Sequence, residues 1–493
     1  MTGAPIRRLL VANRGEIAAR ILRTAKAQGI ECAIVRHAAE DGGLAPQLAD
    51  AVVPIEGATP VAAYLDVAQI VQAARRWGAD AVHPGYGFLS ESPALARALD
   101  EAGIRFVGPP PAVTELMGDK VSARRFVAEH GFPVAPSAIE ADDPGSFTQR
   151  ALAVGLPILI KPAAGGGGKG MRIVRSAEVL DAELAAARRE GERYFGDGRL
   201  FVERYVERPR HIEVQVLGDQ HGSVVHFGER ECSVQRRFQK IIEETPSPAL
   251  DAGTRARICE VAVGIARAAG YVGAGTVELI LGADGEFYFL EMNTRLQVEH
   301  PVTECVTGFD LVAEQLRVAA GEPLGYSQAD IGFQGHAIEL RLCAEDPAQG
   351  FMPATGSLQV LREPAGPGVR VDSGVVEGQR VGSDFDSLLA KLIFHGRSRG
   401  QALARARQAL ADTACLGVAT NLDYLDRILA HAQFAAGDYS TAFLDEQAAE
   451  LGDAGETHST ALLLAAAALS DGHMVAAAAD MPRLYAQMGA WRN

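Results

Sequence analysis

Hydrophobic and polar positions change period along the chain, and the changes divide it. Leu9-Leu10-Val11-Ala12 is a short continuous apolar run, the pattern of a strand buried on both faces. It turns through Asn13-Arg14-Gly15-Glu16 into a helical stripe carrying Ile17, Ile21 and Leu22. Ala33-Ile34-Val35 and Ala51-Val52-Val53 repeat the strand signal, and Val67-Ala68-Gln69-Ile70-Val71 sits in a helix. His83-Pro84-Gly85-Tyr86-Gly87 reads as a loop, and Phe106-Val107 before Gly108-Pro109-Pro110-Pro111 closes the unit. Strands alternating with helices predict an open parallel α/β sheet over residues 1–115. The Gly-x-Gly-x-x-Gly of a dinucleotide site does not follow its first strand.

From 116 to about 325 the pattern is mixed α+β, with a lid expected over about 135–205. There Ile158-Leu159-Ile160-Lys161-Pro162 reads as a strand followed by Gly165-Gly166-Gly167-Gly168-Lys169-Gly170. Met171-Arg172-Ile173-Val174 reads as a second strand, whereas a Rossmann turn needs a helix N-terminus at that point. A Walker A loop needs Ser or Thr after its lysine, and Gly170 stands there. What remains is a strand–loop–strand flap whose bare backbone N–H groups can close over phosphates. The alternative is a mobile surface hairpin. The ordering cost of consecutive glycines favours the phosphate reading.

Thr276 to Leu281 and Phe287 to Asn293 are strands around Asp284-Gly285, a two-residue hairpin signal. That turn pairs Ala283 with Glu286 and, counting back, Glu278 with Glu291. Asn293 shares their face. Opposed like charges destabilise a ladder unless something neutralises them, and a divalent cation with phosphate oxygens suits all-oxygen ligands. A solvated acid pair at a sheet edge and paired carboxylates for glycoside hydrolysis are the alternatives. Next come Arg295, Gln297 and Glu299 at alternate positions. An extended stretch presents them together as a cation, a hydrogen-bonding amide and a general base, with His300 turned away. Residues 334–445 carry strand signals at Ala337 to Leu342, Gly356 to Leu361 and Leu388 to Phe394, then a helix at Gln401 to Leu410. An Ala-rich tail, 446–493, follows.

Composition narrows the class. The 493 residues, 48% of them hydrophobic, suffice for about three domains. A net charge of −15 without a dense basic stretch argues against nucleic acid or an anionic membrane as partner. The longest apolar run, Ala461 to Leu469, is far short of a membrane span, and the N-terminus lacks a signal-peptide core. Six scattered cysteines form no Cys-x-x-Cys pair, so a reduced, cytoplasmic, soluble protein is expected. Only six of the 47 basic residues are lysine: 26, 120, 161, 169, 240 and 391. In a chain that otherwise writes Arg, a retained Lys marks a place for a compact point charge.

The chain resembles the biotin carboxylases, ATP-grasp enzymes of acyl-CoA, pyruvate and urea carboxylase systems. The likeness rests on Val11 to Ala18, His83 to Glu91, Met117 to Lys120, the glycine flap, Arg230 to Ser233, Gln239-Lys240, Glu291 to Glu304 and Arg341 to Pro347. It runs collinearly from about residue 6 to 445. It implies a pre-ATP-grasp domain, an ATP-grasp domain with a glycine-rich lid and a C-terminal α+β biotin carboxylase domain.

Position by position, the resemblance implies that Lys120 and Lys161 contact ATP phosphates, with Gly166, Gly167, Gly168 and Lys169 on the closing flap. Glu203, Arg204 and Val206 lie where the family holds adenine, and His211 and Gln235 line the nucleotide pocket. Glu278 and Glu291, with Asn293 close by, bind Mg²⁺ (or Mn²⁺). Lys240, Arg295, Gln297 and the backbone of Val298 hold bicarbonate, and Glu299 deprotonates it. Arg341 stabilises the biotin enolate, with Tyr86 near the biotin ring. The implied ligase reaction runs through carboxyphosphate, which breaks down to CO₂ that carboxylates biotin.

Phe238 stands where many members have His or Asn, Arg204 replaces a frequent Lys, and Ser383 to Leu388 replaces a tyrosine-rich segment. A biotinyl lysine usually lies between methionines, and no Met-Lys pair occurs, so biotin is expected on a separate biotin carboxyl carrier protein. A carboxyltransferase subunit and a homo-oligomer or larger complex are implied partners. Met488 to Arg492 resembles the junction at which fused α subunits continue, which fits a split subunit and a truncated one equally. Another ATP-grasp ligase, or a nucleotide-binding scaffold without catalysis, are the rival readings.

Overall fold

A computed structural model describes residues 5–40, 42–163 and 170–452. Residues 1–446 form one compact unit. Residues 447–493 form a second, whose described part is the short helix Ala448–Gly452.

The chain opens with five parallel strands in the order Ala51–Ile55, Glu31–His37, Arg8–Val11, Ala81–His83, Arg105–Phe106. Leu9, Leu10 and Val11 are fully buried because helices cover both faces of their strand. Strand order reverses beside this first strand, which opens a crevice at the strands' carboxyl ends. The loop after the first strand and the loop from His83 meet there. The Asn13 side-chain amide donates to the carbonyls of Pro84 and Tyr86, both at 2.7 Å.

The segment expected as the lid contains a four-stranded antiparallel sheet, ordered Ser137–Ile139, Leu200–Arg204, Ile158–Pro162, Arg172–Val174. Its own core gathers Phe147, Ile158, Ile160, Leu180 and Val202. The two strands expected to flank the flap are present and paired, with Ile158 opposite Val174. Gly166, Gly167, Gly168 and Lys169 lie outside the described residues.

An eight-stranded antiparallel sheet dominates the rest. Its order is Phe287–Asn293, Gly273–Leu281, Arg210–Gly218, Val224–Arg236, Gln239–Thr245, His336–Cys343, Leu388–Gly396, Val369–Ser373. It runs unbroken from the segment expected as ATP-grasp into the segment expected as C-terminal, through the pairing of Ile242 with Leu340. Period-two alternation gives its central strands two faces. Ile212, Val214, Val277 and Leu279 pack under helix Ala252–Ala268, while Glu213, Gln215, Thr276 and Glu278 point the other way.

Two expectations need correction. The hairpin loop is not the two-residue turn expected at Asp284-Gly285. Gly282 N–H donates to the Glu286 carbonyl (2.8 Å), and Gly285, at φ +81°, takes the left-handed position of a three-residue loop. This shifts the register by one as far as Leu279 opposite Phe289. A bulge at Leu290 then restores Glu278 opposite Glu291. The stretch from Gly356 to Leu361, expected as one strand, is two. Gly356–Ser357 pairs with Arg380–Val381, and Val360–Arg362 pairs with Ala414–Leu416.

Candidate active site

All the expected site residues within the described part line one pocket of about 580 Å³ between the lid and the polar face of the large sheet. Its base is built around Lys240. The ammonium donates to Glu213 at 2.6 Å, Glu278 at 2.9 Å and Glu299 at 2.6 Å. Burial disfavours the charge on Lys240, but three carboxylates overcome that and hold its pKa well above the usual lysine value. Burial likewise opposes ionisation of Glu213, yet Arg230 and Lys240 bring its carboxyl down to about 2. Burial raises and Lys240 with His211 lowers the Glu278 carboxyl, which ends well below the ordinary range. Burial and Glu213 push Glu299 up, Lys240, Arg341 and Arg230 pull it down, and the balance is downward.

Glu299 sits in a turn just before helix His300–Thr307, not in the extended stretch expected. The chain bends at Arg295 and turns at Val298-Glu299, so a helix start presents the carboxylate. Arg295, Gln297 and Glu299 still share the pocket. The second oxygen of Glu299 accepts from Arg341 Nη2 at 2.9 Å, and Arg341 Nε donates to Glu243 at 2.6 Å. Arg295 Nε donates to Glu91 at 3.1 Å and its Nη2 to Asn293 Oδ1 at 2.8 Å, tying the His83-to-Glu91 motif to the site. His300 points away as expected. It is wholly buried, and its Nδ1–H donates to the Gln297 carbonyl at 2.6 Å.

Glu278 accepts from His211 Nε2 (2.8 Å), Asn293 Nδ2 (2.8 Å) and Gln297 Nε2 (2.9 Å). Glu291, opposite it on the neighbouring strand, is a third exposed and pairs with Lys120 at 3.0 Å. Two opposed carboxylates and the amide oxygen of Asn293 are an all-oxygen donor set, each member now matched to a protein cation or N–H, so they fit Mg²⁺. Among the described residues, a second acidic cluster, His211, Glu213 and Glu278, brings its donor atoms within 4.8 Å of one another. The Lys240 ammonium, within 3 Å of both of its acids, already supplies the charge there.

On the lid side Lys161 pairs with Glu203, which also accepts from Arg124 Nη1 at 2.8 Å. Burial lowers the Lys161 pKa and Glu203 only partly restores it, whereas Glu291 overcomes burial at Lys120 and raises it. The Glu203 carboxylate is therefore paired on both oxygens, and Arg204 and Val206 line the same pocket. Gln235 Nε2 lies 3.4 Å from His211 Nδ1. Phe238 occupies the tip of the turn between Val224–Arg236 and Gln239–Thr245 at φ +66°, and is 56% exposed at the pocket edge. At the opposite edge the Tyr86 hydroxyl donates to Glu16.

Sequence reasoning missed Glu213, Glu243 and Glu16. Glu213 had a readable signal, an acid within the alternation Ile212-Glu213-Val214-Gln215-Val216. Glu243 had none, and Glu16 stood only inside the Val11-to-Ala18 string, because their partners lie 98 and 70 residues away.

Three family models match the chain. They are the biotin carboxylase N-terminal domain over 5–114, the ATP-binding domain of the carbamoyl-phosphate synthase L chain over 119–327, and the biotin carboxylase C-terminal domain over 339–446. The central model alone would leave another ATP-grasp ligase open. The flanking two close that gap. The biotin carboxylase of a Nostoc strain is 44% identical over 442 residues, covering 89% of this chain and 98% of its own. The mitochondrial methylcrotonoyl-CoA carboxylase subunit alpha of Arabidopsis thaliana is 46% identical over 90% of this chain, which spans 61% of that protein's length. Among solved structures, the biotin carboxylase domain of the Hydrogenobacter thermophilus 2-oxoglutarate carboxylase, in complex with MgADP, ADP and bicarbonate, aligns at TM-score 0.89. It has 42% identity and covers 92% of this chain and 100% of that one. Biotin carboxylase from Campylobacter jejuni aligns at 0.87, with 40% identity over 90% of this chain and 99% of that one. The chain belongs to the biotin carboxylase family.

Proposed function

We propose that this chain uses ATP and bicarbonate to carboxylate biotin carried on a separate protein, as the first half-reaction of an acyl-CoA carboxylase of acetyl or propionyl type. The observation that carries the reading is the convergence of Lys240, Arg295, Gln297, Glu299 and Arg341 on one pocket beside the Glu278–Glu291 pair. The nucleotide-holding residues recur across ATP-grasp ligases, while the second group is what a bicarbonate and biotin enzyme needs.

Bicarbonate is a weak nucleophile. Lys240, Arg295, Gln297 and the Val298 N–H hold it, and Glu299 takes its proton as an oxygen attacks the γ-phosphorus of ATP and ADP leaves. In the free protein Lys240 and Arg341 grip Glu299 itself. An incoming anion draws those cations off and strengthens the base. Lys120, Lys161 and the flap carrying Lys169 hold the phosphates and exclude water from carboxyphosphate. That intermediate breaks into CO₂ and phosphate, the phosphate accepts the biotin N1′ proton, and the nitrogen attacks CO₂ while Arg341 stabilises the enolate and Tyr86 flanks the ring. Glu278, Glu291 and Asn293 would hold Mg²⁺ (or Mn²⁺), which supplies charge neutralisation at the phosphates.

The working division is 1–115 for the biotin side, 116–325 with its lid for ATP, and 334–445 for Arg341 and its supports. The carrier protein, a carboxyltransferase and a larger carboxylase assembly are the proposed partners, and the cytoplasm the proposed location. No described helix is long and apolar enough to cross a membrane, and all six cysteines are free. The test uses ¹⁸O-labelled bicarbonate with MgATP and biotin. One labelled oxygen in the released phosphate is expected, and unlabelled phosphate would mean direct hydrolysis of ATP.

A further inference from the structure

Lys391 is the lysine that the pocket leaves unexplained. Lys120, Lys161 and Lys240 line the pocket, Lys169 belongs to the flap, and Lys26 is a partly exposed partner of Asp50. Lys391 lies on strand Leu388–Gly396, is wholly buried and does not line the pocket. It stands directly opposite Arg341 on the neighbouring strand. Two opposed cations destabilise a ladder unless each finds an acid. Arg341 takes Glu243 and Glu299. Lys391 donates to the Val298 carbonyl at 2.7 Å and pairs with Glu16 at 3.1 Å.

Glu16 is itself buried, in the first turn of helix Gly15–Ala27, and its other oxygen accepts from the Tyr86 hydroxyl. The strand beside that of Lys391, Val369–Ser373, ends close against this helix start because residue 374 is glycine. A Cβ there would fall 2.4 Å from the Glu16 backbone nitrogen. A continuous line of contacts therefore runs from Val298 through Lys391 and Glu16 to Tyr86. At one end is the turn assigned to bicarbonate, at the other the ring assigned to biotin. An ammonium can aim one donor at a carbonyl and still face a carboxylate in a closed slot. A planar guanidinium needs a wider one.

We propose, resting on the function proposed above, that Lys391 and Glu16 are positioning residues that hold the Val298 turn and Tyr86 in register, so that bicarbonate and biotin are set relative to each other by one buried ion pair. Neither touches a substrate. Displacing the turn by a fraction of an ångström alters bicarbonate binding and the distance over which the carboxyl group must travel.

The test compares wild type, Lys391→Met, the double variant Lys391→Met with Glu16→Gln, and Tyr86→Phe, all in the full chain. Thermal midpoint, the bicarbonate KM of ATP hydrolysis without biotin, and the acceleration by free biotin are read. Lys391→Met alone leaves Glu16 buried without a counter-ion and lowers the midpoint. The double variant is expected to regain part of that midpoint, because buried Glu339 and Asp372 also face Lys391, and still to show a bicarbonate KM raised roughly tenfold with a weakened biotin response. Tyr86→Phe keeps the ring, removes the hydroxyl that donates to Glu16, and so cuts the line at its far end. It is expected to raise the bicarbonate KM about two- to tenfold with no biotin present, although Tyr86 is assigned to the biotin ring and not to bicarbonate. Wild-type bicarbonate KM in the double variant, or in Tyr86→Phe, overturns the proposal. A wild type that hydrolyses ATP without regard to bicarbonate brings down the proposed function instead, and this inference with it.

Discussion

The Lys240 ammonium lies 2.6 Å from the Glu299 carboxylate at the base of the pocket, and the same ammonium reaches two further acids. Glu299 is thereby aimed and kept ionised. Replacing it by Gln keeps the size and shape, removes the carboxylate that accepts a proton, and leaves an amide nitrogen that cannot accept from Lys240 or Arg341. Glu299→Gln is expected to lower bicarbonate-dependent turnover by about 10²- to 10⁴-fold while nucleotide affinity stays near wild type. Steady-state kinetics alongside nucleotide titration checks this.

The opposed acids differ in burial and so in consequence. Glu278 is the acceptor for Lys240, His211, Asn293 and Gln297, and Glu278→Gln is expected to cost about 1–3 kcal/mol because the amide nitrogen cannot accept from these buried donors, although Lys240 keeps Glu213 and Glu299. Glu291 is a third exposed with Lys120 as its ion-pair partner. Glu291→Gln is expected to leave the melting midpoint nearly unchanged and raise the Mg²⁺ concentration needed for half-maximal turnover. Melting curves and Mg²⁺ titrations of the two variants separate the cases.

Acid sensitivity should trace to Glu244. Burial works against its charge, but His336 at 2.6 Å and Arg399 at 2.7 and 2.9 Å bring its pKa from 4.5 down to about 2. A carboxyl depressed on folding contributes stability above its unfolded pKa and loses it as pH falls through the folded one. The contribution, about 3 kcal/mol, is complete above pH 4.5 and fades between 4.5 and about 2. Glu244→Gln is expected to be less stable than wild type at neutral pH and flatter across that window. Denaturant unfolding between pH 3 and 7 reads both.

Phe238 sits at a left-handed turn position where asparagine is favoured and a bulky ring is strained. Phe238→Asn is expected to stabilise the protein by about 1 kcal/mol and, by restoring a polar group at the pocket edge, to tighten ATP binding severalfold. Calorimetric melting and isothermal titration test the two parts.

The sequence carried more of the site than of the sheet that presents it. The Glu278–Glu291 opposition was legible because alternation and a turn signal fix register locally, although the turn was a residue longer than expected and the bulge at Leu290 undid the shift. A bulge leaves no mark in hydrophobic pattern, so agreement came from two departures that cancel. Lys391 was visible as a rare lysine, but its partners, Val298 and Glu16, lie far away in sequence. The continuity of the large sheet through Ile242 and Leu340 was likewise hidden, because non-local pairing has no period. Local chemistry survives in a string of residues; what the tertiary structure brings together does not.

The rate of MgATP hydrolysis with and without bicarbonate, and then with free biotin, decides whether this chain carries out bicarbonate-dependent carboxylation. Stimulation by bicarbonate and a further increase with biotin are expected. Hydrolysis indifferent to both would contradict the account and move the chain to another ATP-grasp activity. Tight ATP binding with no turnover under any condition would instead support a scaffold.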